Sequence, residues 1–147
     1  MSKTSIYQRE VTPMVQAAIV FGLILIIFIG LYLSHLFKWY MYDPMDIWMI
    51  GTAMMLFFIL FNCIFGFNNE NITIYFRNSI YSYIVLVLVT CLLCQWITKV
   101  TVFDAKTYSW ILVVFSIVYI IFMTVLGLIK KIVSIAIKQD KKLQNED

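Results

Sequence analysis

No Asp, Glu, Lys or Arg occurs within 11–37, 47–67, 78–98 or 108–129. Proton- or ion-coupled transport needs a costly charge inside the membrane to hold the coupling ion, and these four segments supply none. Glycine and proline are also scarce, five and two in the whole chain, so the apolar segments lack the broken-helix pattern of discontinuous transport helices. A single histidine, His35, excludes a bis-histidine haem site and a histidine-rich metal site. The three cysteines, Cys63, Cys91 and Cys94, all lie inside apolar runs, which argues against a secreted disulfide framework. No HExxH, nucleophile elbow, P-loop or dinucleotide fingerprint is present, and the acids Asp43, Asp46, Glu70 and Asp104 are scattered. The sequence therefore specifies no catalytic residue, cofactor site or metal site.

What the chain has is apolar surface. Of 147 residues 63% are hydrophobic and only 13% charged; soluble domains average about 45–50% and about 25%. A core this small cannot hide such an excess from water. Each of the four segments reaches the length of about 20 residues that crosses roughly 30 Å of hydrocarbon. The expected fold is all-α: an integral membrane protein of four transmembrane helices in one antiparallel bundle, forming a single domain. The run 11–37 is too long for the apolar core of a signal peptide and is expected to remain as the first span. The Met-Ser start carries no lipidation motif.

Span one enters through Thr12-Pro13, since proline fits a first helical turn. Ala18, Gly22, Gly30 and Ser34 fall on one face, a small-residue stripe that lets another helix approach closely. The expectation is packing against span two or four, with a homodimer face as the alternative. Loop 38–46 ends in Asp43-Pro44-Met45-Asp46, which reads as a helix start: Asp43 caps, Pro44 opens the turn and Asp46 faces the helix dipole. In span two Asn62 is expected to hydrogen-bond across helices. Residues 68–77 are read as a loop containing the sequon Asn71-Ile72-Thr73, and Asp104 as the cap of span four.

Beyond Ile129 the helical pattern continues. Ile129, Ile132, Val133, Ala136 and Ile137 share one arc of the wheel, and Lys130, Lys131, Lys138, Lys141 and Lys142 share the opposite arc with Ser134. A basic amphipathic C-terminal helix over 130–142, contacting an anionic inner leaflet, is the expectation. A net charge of +3 concentrated in this way does not suggest nucleic acid. Basic residues number eight on the side of the termini (Lys3, Arg9, Arg77 and the five tail lysines) and three opposite (Lys38, Lys99, Lys106). The positive-inside rule then places both ends in the cytoplasm, in a bacterial inner membrane. All four tryptophans fall at the outer ends and Tyr75, Phe76, Tyr81 and Phe65 at the inner ends, as interfacial belts.

Elimination leaves a non-enzymatic accessory or scaffolding subunit, whose partners are lipid and another membrane protein or a second copy. An oligomeric pore lined by Thr52, Asn62, Thr90, Gln95 and Ser116 is the first alternative. Cys91-Leu92-Leu93-Cys94, near the outer end of span three, resembles the CxxC of quinone-coupled thiol oxidoreductases and supplies the second. There the resemblance stops, because no loop cysteine pair is present to relay electrons.

Overall fold

A computed structural model describes residues 12–39, 41–68 and 72–144. Those residues form four α-helices: α1 (Pro13–Leu36), α2 (Pro44–Asn68), α3 (Ile72–Thr98) and α4 (Thr107–Gln144). All four are long and apolar enough to cross a membrane. The all-helical expectation stands, with two changes of boundary. Helix α3 starts at Ile72, so residues 72–77 are helical and not loop; Asn71 of the sequon lies outside the described residues, as do Lys3 and Arg9. The fourth span and the tail are one unbroken helix of 38 residues.

The helix starts follow their sequences. Pro13 opens α1 behind Thr12, whose carbonyl accepts from Val15 and Gln16 at 3.0 and 3.1 Å. At α2 the Asp43 carboxylate accepts from the Met45 N–H at 2.9 Å, and the Asp46 carboxylate accepts from the Asp43 N–H at 3.0 Å. This reciprocal pair satisfies donors that a helix N-terminus leaves open. Asp104 does not cap α4. It accepts the Thr101 hydroxyl at 2.6 Å and closes the turn that precedes α4. Lys38, Lys99 and Lys106 take left-handed backbone, with φ of 56, 59 and 50°. They end α1, end α3 and precede α4, where reversal of the chain requires it.

Helices α2 and α3 form the central pair; α1 and α4 each pack on both of them and not on one another. Half of the apolar window of α2 is buried, against 22% for α1 and α4. Two glycines set the closeness of the central pair. A Cβ at Gly51 would stand 3.0 Å from Cys94 Sγ, and one at Gly66 would stand 2.9 Å from Tyr75 Cε1. The start of α2 thus meets the end of α3, and the end of α2 meets its start.

Helix α1 faces the bundle with Gln16, Val20, Ile24 and Phe28. This corrects the expectation that the small stripe makes the intramolecular contact. Ala18 and Gly30 are exposed, Gly22 and Ser34 are half-buried, and nothing lies within 4 Å of a Cβ built on Gly22 or Gly30. The reason is geometric: residues two apart on a helix point about 200° apart, so the stripe through 18 and 22 opposes the stripe through 16 and 20. The larger side chains fill the groove on α2 and α3, and Gln16 has polar partners there.

Candidate functional site

The most polar place in the apolar part of the molecule joins all four helices. Asn62 on α2 is fully buried. Its Oδ1 accepts from the Tyr119 hydroxyl of α4 at 2.8 Å, and its Nδ2 donates to Gln16 Oε1 of α1 at 3.1 Å. Gln16 Nε2 donates to the Tyr75 hydroxyl of α3 at 3.0 Å, and that hydroxyl donates to the Asn62 backbone carbonyl at 3.1 Å. A ring of hydrogen bonds therefore closes through Gln16, Tyr75 and Asn62, with Tyr119 attached. Phe58, Tyr83 and Tyr119 form an aromatic cluster: Phe58 stacks on Tyr83, Tyr119 meets Phe58 edge-on, and the two tyrosine rings are tilted with centroids 4.7 Å apart. The Tyr83 hydroxyl lies 3.0 Å from Ser116 Oγ.

These side chains arrive by simple periodicity. Tyr75, Ser79 and Tyr83 are four residues apart on α3, as are Tyr119 and Met123 on α4, so each set lines one helix face. In hydrocarbon an unpaired amide or hydroxyl is costly, and such groups find one another across helices. The ring itself is made of amides, hydroxyls and a backbone carbonyl, with the buried Cys63 beside it. Its chemistry is hydrogen bonding between neutral groups, which fixes helix register. Sequence reading found Asn62 and missed Gln16 and Tyr119. The available signal for Gln16 was its position inside an otherwise apolar face, since such an amide needs a partner.

Of the residues proposed to line a pore, Thr52, Asn62 and Thr90 are buried, Ser116 is half-buried and Gln95 is exposed. Thr52 and Ser116 turn their hydroxyls back onto their own helices, to the Trp48 and Leu112 carbonyls, both at 2.8 Å. Asn62 is held in the ring. The void that Thr52 and Thr90 border, near the start of α2, measures about 10 Å³, the room of a single water. Trp48, expected in an interfacial belt, is 1% exposed and lines this void; Trp39, Trp96 and Trp110 are exposed. Tyr75 likewise leaves the belt for the buried ring.

Cys91 is half-buried and Cys94 buried; both thiols are free. Cys94 Sγ approaches the Ile47 carbonyl at 3.8 Å and fills the space left by Gly51. His35, at the end of α1, is exposed and lies against Tyr42 in a tilted contact, with ring centroids 5.2 Å apart. Among the described residues no three His, Cys, Asp or Glu side chains converge on one point.

The extension of α4 is the other polar feature. Lys131, Lys138, Lys141 and Lys142 are exposed and Lys130 is half-buried. At 1.5 Å per residue, 38 residues make a helix of about 57 Å, well beyond the roughly 30 Å of hydrocarbon. No protein-family model, curated protein or solved structure matches this chain.

Proposed function

We propose that this protein is a non-enzymatic accessory or scaffolding subunit that lends an extra helix face to a membrane complex. The observation that carries the reading is the orientation of α1. Two of its small residues, Ala18 and Gly30, are exposed, and nothing lies within 4 Å of a Cβ built on Gly22 or Gly30. Stripes of this kind favour close helix approach in membranes, where backbones pack without a hydrophobic drive. The hydrogen-bonded ring holds α1 through Gln16, about 200° around the helix from Ala18.

The four spans run antiparallel, with both termini in the cytoplasm of a bacterial cell and the bundle in its inner membrane. Eight basic residues against three support that orientation. The extension of α4 is a basic amphipathic helix that contacts the anionic inner leaflet through its lysines.

The test is extraction at native expression in mild detergent, followed by mass spectrometry of what copurifies, for the natural chain and for Gly22→Leu. The expected result is a stoichiometric membrane partner with the natural chain and its loss with Gly22→Leu, while thermal unfolding of the isolated protein is unchanged. A homogeneous homo-oligomer with no other protein bound would sink the accessory-subunit reading in favour of a pore, to be followed by conductance in liposomes.

A further inference from the structure

Three buried side-chain atoms have no hydrogen-bond partner among the described residues: Trp48 Nε1, Ser79 Oγ and Thr90 Oγ1. Two of the three residues meet at one place. Trp48 and Thr90 both line the void of about 10 Å³ between α2, α3 and α4, and Ser79 does not. An indole N–H and a hydroxyl left unpaired in an apolar bundle are costly. Thr52 brings a third polar group to the same void. It lies four residues beyond Trp48, on the same face of α2. Its hydroxyl hydrogen is engaged by the Trp48 carbonyl at 2.8 Å, so toward the void its oxygen can only accept.

We propose that this void is a binding site for one structural water that joins α2 to α3. The Trp48 N–H donates to the water. The water donates one hydrogen to Thr52 Oγ1 and shares a further bond with the Thr90 hydroxyl, in which either oxygen can donate. The size fits, since a cavity of about 10–15 Å³ holds one water, and a buried water needs two to four polar partners. The chemistry excludes the other small occupants. An indole N–H offers a cation no lone pair, and Thr52 has no free hydrogen for an anion. An apolar guest would leave the indole N–H unpaired. The site also accounts for a tryptophan in the core, where its N–H needs a partner. It pins α2 to α3 beside Gly51, toward the opposite end of α2 from the Asn62 ring.

The experiment uses the purified full-length protein in mild detergent. Trp39, Trp96 and Trp110, all exposed, are replaced by Phe, so that Trp48 carries the only indole. With nitrogen-15 in that ring, rotating-frame NMR should show a cross-peak between the indole N–H and water. Ultraviolet resonance Raman should find the same N–H hydrogen-bonded. Thr90→Val keeps the side-chain shape and removes one partner of the water. The cross-peak should weaken, and the unfolding equilibrium constant in SDS mixed micelles should rise about fivefold, the weight of one buried hydrogen bond. A dry void gives the opposite on each count. The indole N–H is then free, and Thr90→Val, which deletes an unpaired hydroxyl, is neutral or stabilising; either result overturns the site. A bonded N–H without a water cross-peak would assign it a protein acceptor and would overturn the site as well.

Discussion

The Tyr119 hydroxyl donates to Asn62 Oδ1 at 2.8 Å, and this bond ties α4 to a ring that already holds α1, α2 and α3. Although α1 and α4 do not pack on one another, Asn62 bonds to a residue of each.

Replacing Asn62 by Ala removes, in an apolar interior, the acceptor of the Tyr119 hydroxyl and the donor to the Gln16 carbonyl. The expected loss is about 1–3 kcal/mol, the range for removing one partner of buried hydrogen bonds. Tyr119→Phe removes one bond and leaves Asn62 its Gln16 contact; about 1 kcal/mol is expected. Unfolding by SDS in mixed micelles measures both. Equal losses from the two variants would contradict a ring in which Asn62 is the shared member.

Gly51 is the tightest contact between the central helices at the end where α2 begins. Gly51→Ala puts a methyl group at 3.0 Å from Cys94 Sγ and 3.2 Å from Thr90 Cγ2. A loss of about 1–3 kcal/mol is expected from overpacking. Adding Cys94→Ala should recover most of it, since the sulfur is the nearer obstacle. Gly30→Ala, with open space around it, should be silent. Absence of rescue by Cys94→Ala would mean that Thr90, and not the sulfur, limits the approach of the two helices.

The two cysteines of the CxxC differ in access. Cys94 is 1% exposed and Cys91 is half-buried. In the folded protein a membrane-permeant methanethiosulfonate should modify Cys91 well before Cys94, with mass spectrometry of the digested chain as the readout. Equal rates would show that the Gly51–Cys94 contact opens readily and would reopen a thiol–disulfide role for the pair.

Lys99 ends α3 with φ of 59° and an N–H bonded to the Gln95 carbonyl at 2.9 Å. A left-handed backbone costs a residue with a Cβ about 1–2 kcal/mol, part of which glycine returns through its freer unfolded state. Lys99→Gly should therefore stabilise the protein by about 0.5 kcal/mol, and Lys99→Ala should not. The same SDS titration decides it; a destabilising glycine would show that the lysine side chain itself contributes to this end of the bundle.

Much of the helical layout is readable from hydropathy, and the reasons are local. Asp43 and Asp46 form their reciprocal cap because both partners lie within one turn. Thr12-Pro13 starts α1 for an equally local reason. Hydropathy puts the start of α3 too late because Tyr75, Phe76 and Arg77 look interfacial in sequence, whereas Tyr75 has a buried hydrogen-bond partner on each of two other helices. The inward face of α1 is hidden from sequence for a related reason. Small residues and large ones can both pack, and choosing between them requires the shape of the groove they meet.

The sequence by itself determined that four segments are long and apolar enough to cross a membrane, and that a basic segment follows the last. Those properties are sums over consecutive residues and need no neighbour. Only the tertiary structure decided that Gln16, Asn62, Tyr75 and Tyr119 share one hydrogen-bonded cluster and that Trp48 is core. Each of these depends on which residues of different helices come within a few ångströms of one another. Hydropathy carries no information about rotation around a helix axis; the need to pair polar groups and fill space between helices does.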